Sequence, residues 1–207
     1  MKTSSFIGIG RNRMATDGEG VTTLVAFWGC PLACKYCLNP QSLSEESVKR
    51  VLTAEELYHL VRIDELYFLA TGGGITFGGG EPCLYTDFIK AFRNLCGEEW
   101  KITLETSLNV PLENIKTLYS IVNEYIVDIK DINPKIYKSY TGKDNALPIA
   151  NLKYLIEQGK ADQIRVRVPL IPNFNTEKDT KRTVSALKKL GIEKIETFTY
   201  IIKTETS

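Results

Sequence analysis

Short apolar, β-branched runs alternate with amphipathic segments along the whole chain, and that alternation constrains the fold more than any other feature. The strand candidates are 23–29, 74–78, 100–106, 125–130, 163–171 and 194–201. Helix candidates fall near 54–69, 86–96, 111–123, 147–158 and 177–190. Thr53 with Glu56 three residues on makes a capping-box start for the first. Phe88, Ile89, Phe92, Leu95 and Cys96 share one face of the second, and Gly191 stops the last. Strands alternating with helices imply an α/β fold with a parallel sheet and right-handed crossovers. A complete eight-unit barrel needs about 250 residues. The 207 residues present fit a partial, open (β/α)6 barrel whose final helix is missing. The expectation is therefore a single domain over 1–207, with an N-terminal extension (1–22) and the barrel core at 23–201.

In such sheets ligands bind beyond the C-terminal ends of the strands, and the chemically loaded residues fall there. Cys30, the GGGEP run, Glu105, Asp128 with Lys130, and Arg167 to Pro172 each follow or end a strand candidate.

Composition narrows the function. Lys and Arg number 26 against 25 Asp and Glu, a net charge of +1, which argues against nucleic acid or an anionic membrane as partner. No run approaches the roughly 20 apolar residues of a membrane span, and the N-terminus lacks the apolar core of a secretory signal. A cytoplasmic location follows as an expectation, and there clustered cysteines serve metals or catalysis more often than disulfides. The single histidine, His59, lies in a helical segment and is assigned no role; one histidine cannot build a multi-histidine metal site.

Three of the five cysteines are packed into Cys30-Pro-Leu-Ala-Cys34-Lys-Tyr-Cys37. A C-x3-C-x2-C loop can wrap three thiolates around a [4Fe–4S] cluster. Cysteine usually ligates each of its four irons, so three leave one iron open for a non-protein ligand. Structural zinc prefers four closed ligands, and only Cys83, Cys96 or His59 is available as a distant fourth. The spacing, with Tyr36 just before the third cysteine, resembles the signature of the radical S-adenosylmethionine (radical SAM) superfamily. The resemblance implies cluster ligation by Cys30, Cys34 and Cys37, and S-adenosylmethionine chelated to the open iron. One-electron cleavage of that cofactor then yields a 5′-deoxyadenosyl radical, which abstracts hydrogen from the substrate. It also places Tyr36 beside the adenine, chiefly through its backbone.

Further elements carry the same likeness. Gly79-Gly80-Glu81-Pro82 resembles the family element that binds the cofactor's ammonium group. Glu105 and Asp128-Ile129-Lys130 resemble elements of glycyl radical enzyme activating enzymes that surround the methionyl end, where a monovalent cation sometimes sits. Arg167, five residues before Pro172, matches an arginine near the cofactor, and Tyr140-Thr141-Gly142 resembles a turn of the same group. The likeness spans residues 17 to 201 and is nearest to the pyruvate formate-lyase activating type.

The chain also departs from that group. Asp17 begins the segment where relatives dock their protein substrate, but the arginine usual there is replaced by Thr22. No second cysteine-rich module occurs at 38–71, and the histidine usual after the last strand is absent from Phe198-Thr199-Tyr200-Ile201. An uncovered sheet face at the missing helix implies a homodimer or partner contact there. The implied activity is installation of a glycyl radical on a protein substrate, driven by a flavodoxin- or ferredoxin-type reductant. Two alternatives stay open at this point. One is a radical enzyme that epimerises or crosslinks a peptide or small molecule, with Cys83 returning a hydrogen atom. The other is a non-catalytic cysteine–metal module that binds a protein.

Overall fold

The computed structural model describes residues 2–14 and 16–200. One open eight-stranded sheet runs through it, in the spatial order β3-β1-β2-β4-β5-β6-β7-β8. Six strands are parallel and lie in chain order: β2 (Val21–Phe27), β4 (Gly74–Gly79), β5 (Lys101–Thr106), β6 (Glu124–Asp128), β7 (Ile164–Leu170) and β8 (Lys194–Thr199). These are the six units expected from the alternation, and the sheet does not close. Residue 201, the end of the sixth expected strand, and the question of a helix beyond it lie outside the described residues.

The N-terminal extension needs correcting. Residues Thr3–Met14 form a twelve-residue strand, β1, antiparallel to β2, and Arg50–Thr53 form β3, antiparallel to β1. Gly8, Gly10, Arg11 and Arg13 interrupt the apolar pattern of β1, so it carries no strand signal. Its register with β2 slips between Phe6 and Gly8 and again between Gly10 and Arg13. Such bulges bend an edge strand.

Helices cover one face of the sheet. They are α1 (Ala54–Val61), α2 (Glu65–Thr71), α3 (Thr86–Cys96), α4 (Leu112–Leu118), α5 (Pro134–Thr141), α6 (Ala146–Glu157) and α7 (Glu177–Lys189). The expected Thr53–Glu56 capping box is formed at the start of α1. The single helix expected at 54–69 is two, joined by a 3₁₀ turn at Arg62–Asp64. Helix α5 was not foreseen.

The two faces of the sheet differ in chemistry. Phe27, Phe77, Ile75, Ile102, Leu104, Tyr125, Val127, Val166 and Val168 belong to one continuous buried core with the helices. The alternate residues Thr76, Thr103, Glu105, Glu124, Asp128, Arg165 and Arg167 face the concave side. In β7 the alternation is strict over Ile164 to Val168, as period-two geometry requires. Polar side chains thus line the hollow of the half-barrel. Segment 16–19 crosses its floor: Asp17 accepts from the Thr76 hydroxyl through its carbonyl, Glu19 pairs with Lys101 at 2.6 Å, and Arg167 donates to the Thr16 carbonyl at 2.8 Å.

Beyond the last helix, a hollow of 840 Å³ lies between α7 and β8, lined by Val184, Leu170 and Phe198 with a rim of lysines. The contact with a second copy or partner was expected on this side of the sheet. Among the described residues no helix is long and apolar enough to cross a membrane.

Candidate functional site

A second cleft opens at the C-terminal ends of the parallel strands. Cys30, Cys34 and Cys37 from the loop after β2 line one wall. Gly79, Gly80 and Glu81 after β4, Glu105 at the end of β5, Asp128 and Lys130 after β6, and Arg167 of β7 supply the rest. Ten of the thirteen residues singled out in the sequence meet here.

The glycine run is dictated by close approach. A Cβ on Gly80 would lie 2.1 Å from the Gly29 carbonyl oxygen. Gly79 has φ +86°, and a Cβ there would meet Ala26 at 2.6 Å. The strand end therefore packs backbone to backbone on the start of the cysteine loop, with Gly80 N–H donating to Phe27 and Glu81 N–H to Gly29. Only glycine permits that contact.

Glu81 is 1 % exposed and its carboxylate is filled by the chain's own donors. Oε1 accepts from Cys83 N–H (3.1 Å) and the Thr106 hydroxyl (2.6 Å). Oε2 accepts from Ser107 N–H (2.9 Å) and the Ser107 hydroxyl (2.6 Å). A carboxylate offers about four acceptor positions. What Glu81 does within this geometry is fix the turn after β5, which leaves little of it for the ammonium group that the resemblance assigns to it.

Two ion pairs form the opposite wall. Arg167 donates to Glu105 Oε1 at 2.9 Å, and Lys130 donates to Asp128 Oδ2 and to the Tyr200 hydroxyl, both at 2.9 Å. Burial raises the Glu105 pKa, with Arg167 pulling it back and Asp128 pushing it further up. For Lys130 burial works against the charge, but the Asp128 carboxylate and Tyr200 more than offset it, and its pKa ends well above the ordinary lysine value. Asp128 Oδ1 is buried and has no partner among the described residues. A buried acceptor without a donor is costly, so this oxygen is set for something that enters the cleft.

The cysteine loop is held from outside. Ala33 and Lys35 donate their N–H groups to the carbonyls of Thr141 and Tyr140, which end α5. The otherwise unpaired C-terminal carbonyls of a helix thereby clamp the loop, which accounts for the Tyr140-Thr141-Gly142 turn. Burial pushes the Cys30 thiol up to about 12 and Cys34 up to about 11. Both become thiolates at neutral pH only when a metal takes the proton's place. Among the described residues, no three His, Cys, Asp or Glu side chains close on a point that would hold a single ion. A cubane presents a separate iron to each thiolate and needs no such convergence. The donor set fits a [4Fe–4S] cluster with S-adenosylmethionine: three thiols on one loop, the buried Lys130 and half-buried Arg167 for a carboxylate, and the free Asp128 oxygen for a donor. It offers a monovalent cation less, because Glu105 and Asp128 each already face a cation of the chain.

Three singled-out residues do not turn their side chains into the cleft. Tyr36 packs its ring on Tyr140 and Phe174 and its hydroxyl accepts from Asn173 at 3.2 Å, which leaves to its backbone the adenine contact that the resemblance implies. Cys83, read as a candidate hydrogen donor, is fully buried in the core and donates to Thr106 at 3.4 Å. It lies behind Glu81, and the structure removes it from the cleft. Asp17, read as a substrate contact, is 4 % exposed and paired with Arg13 on the floor of the half-barrel. Conversely, Asn39, Thr106, Ser107 and Tyr200 line the cleft without having been singled out. The strand-end rule covers Thr106 and Ser107, and Tyr200 lies in the segment after the last strand already compared with the family; nothing in the sequence marks Asn39.

A family model described as the Radical SAM superfamily matches residues 25–180, three quarters of the chain. The chain belongs to the radical SAM superfamily. Its curated relatives include the pyruvate formate-lyase-activating enzyme of Clostridium pasteurianum, 31% identical over 89% of this chain and 77% of that protein. The trans-4-hydroxy-L-proline dehydratase activating enzyme of Clostridioides difficile is 24% identical, over 89% of this chain and 80% of that one. Among solved structures, SuiB of Streptococcus suis bound to S-adenosylmethionine superposes with a TM-score of 0.67 at 17% identity, over 88% of this chain and 43% of that one. The open sheet is thus a radical SAM fold. The relatives are glycyl radical enzyme activating enzymes, and the cofactors of the superfamily are a [4Fe–4S] cluster and S-adenosylmethionine.

Proposed function

We propose that this radical SAM enzyme installs a glycyl radical on a partner protein, with Cys30, Cys34 and Cys37 holding the cluster. The observation that carries the reading is the gathering of the cysteine loop, the Gly79–Glu81 turn, Glu105, Asp128, Lys130 and Arg167 into one cleft, in a chain 31% identical to a pyruvate formate-lyase-activating enzyme. When bound, the cluster and S-adenosylmethionine supply one-electron cleavage of the sulfonium and the radical that abstracts hydrogen. The chain's part is to bind, orient and exclude water. Lys130 and Arg167 present positive charge to the cofactor's carboxylate, and Asp128 Oδ1 accepts from one of its donors. Glu81 keeps Thr106 and Ser107 in place from below.

Hydrogen-atom abstraction needs no general base, in keeping with a cleft that holds no histidine. The open side of the half-barrel gives a loop of a folded substrate room to reach the cofactor. A cytoplasmic setting and a one-electron carrier protein belong to this reading. The alternative that used Cys83 as hydrogen donor loses its residue to the core.

The test is 5′-deoxyadenosine formation by anaerobically reconstituted protein with S-adenosylmethionine and a strong reductant, beside Cys34→Ala. Candidate glycyl radical enzymes are added and scored by electron paramagnetic resonance. Cofactor cleavage by the wild type alone, with a glycyl doublet on a partner, is expected. A fully loaded cluster that never cleaves the cofactor overturns the reading.

A further inference from the structure

We propose that Lys135, Lys138 and Lys143, with Lys35 of the cysteine loop, form the docking surface for an acidic one-electron carrier protein. The inference rests on the radical SAM reading, which requires an electron to enter from outside, and it says where and by what chemistry.

Four lysines and no acidic residue occur within segments 33–37 and 132–143; of the two aspartates that flank the second segment, Asp131 is buried and Asp144 is exposed beside Lys143. All four side chains are exposed. Among the described residues none of their amino groups lies within ion-pair distance of a carboxylate; the paired lysines are Lys2, Lys101, Lys116, Lys130 and Lys181. The two segments are tied together, since Lys35 N–H donates to the Tyr140 carbonyl at 3.1 Å and Ala33 N–H to Thr141 at 2.9 Å. The C-terminal end of α5, just before Lys143, therefore abuts the loop that carries Lys35, Cys34 and Cys37.

The helix does not ask for these charges. Lys135 stands in the first turn of α5, which contains no acidic residue, although a helix N-terminus favours negative charge. Lys138 lies three residues on, on the same face, where like charges oppose each other. Only its place in the last turn favours Lys138. A positive patch kept against local helix preference attracts an acidic surface and speeds its encounter.

Behind the patch, Tyr140 packs against Cys34 and Tyr36 in one small cluster. The helix that carries Lys135 and Lys138 thus packs directly on the cysteine loop through Tyr140. One electron leaves the reduced carrier, oxidising it by one unit, and takes the bound cluster from the 2+ to the 1+ state. No bond or proton moves at this surface.

The probe is an acidic flavodoxin, titrated by calorimetry into wild type, Lys135→Glu/Lys138→Glu/Lys143→Glu and the corresponding triple arginine variant. Each titration is run at low and at high salt. The glutamate variant should bind about tenfold or more weakly at low salt, the arginine variant as wild type does, and high salt should erase the difference. Photoreduced deazaflavin, which needs no protein docking, should reduce the loaded cluster equally in all three, which also reports an intact fold. Undiminished binding of flavodoxin by the glutamate variant, or an affinity that ignores salt, overturns the proposal. Failure of deazaflavin-reduced wild type to cleave S-adenosylmethionine would instead strike the functional reading.

Discussion

Glu81 shows how a residue within a binding motif can act by supporting its neighbours. Both carboxylate oxygens face a backbone N–H, Cys83 on one side and Ser107 on the other. Glu81→Gln must turn its amide nitrogen toward one of them, whichever way the amide is placed, and leave a buried donor facing a donor. A loss of about 1–3 kcal/mol is expected, read by chemical denaturation, together with weaker S-adenosylmethionine binding. A variant as stable as wild type would show that the network does not hold the turn. Cys83 supplies the contrast. Cys83→Ala removes a weak hydrogen bond to Thr106 and a small buried volume but no side chain that lines the cleft, and Thr106 keeps its bond to Glu81, so 5′-deoxyadenosine yield per loaded cluster should match wild type. A yield that collapses while the fold stays intact would return Cys83 to the chemistry.

Elements were legible where their pattern was uniform and hidden where one residue broke it. The six parallel strands announce themselves through apolar runs such as TLVAF and YIVDI; the strand-end rule then gathers eight of the ten cleft residues, and the cysteine spacing adds Cys34 and Cys37. Strand β1 escapes because Gly8 and Gly10 and the arginines after them replace the apolar alternation. Tyr200 escapes because only the folded sheet brings residue 200 beside Lys130. The break between α1 and α2 has a cause that no periodicity records. Asp64, fully buried at the joint, accepts from Arg11 of β1 at 2.8 Å and from the Thr23 hydroxyl of β2 at 3.0 Å. Asp64→Ala leaves that hydroxyl unpaired and should cost about 1–3 kcal/mol. The Arg11 hydrogen bond holds the Asp64 carboxyl below its ordinary value, against burial. The unfolded chain therefore binds the proton more readily, and the stabilisation is complete above the ordinary aspartate range. As pH falls through the lowered pKa it is lost, so the stability gap between wild type and Asp64→Ala should close in acid. A gap that stays constant to low pH would mean the carboxylate's charge contributes nothing.

At the scale of the whole molecule, the site is a property of the complete parallel sheet. The cysteine loop follows β2, the first parallel strand, and Tyr200 follows β8, the last; both line the same cleft. A ligand seated there touches residues from across the sheet, so it binds the folded chain and not its parts. Linkage then requires S-adenosylmethionine to stabilise the cluster-loaded protein against global unfolding, by about 2.7 kcal/mol at a hundredfold excess over Kd. For a chain of this size that corresponds to roughly 5–10 °C in the unfolding midpoint. Arg167 joins Glu105 at 2.9 Å to the Thr16 carbonyl at 2.8 Å, and so ties the cleft wall to the floor of the half-barrel. Arg167→Ala should therefore lower the midpoint without cofactor and also shrink the increment the cofactor brings. Calorimetric scans with and without S-adenosylmethionine separate the two effects. An increment as large in Arg167→Ala as in wild type would show that the guanidinium serves the fold alone, leaving recognition of the carboxylate to Lys130.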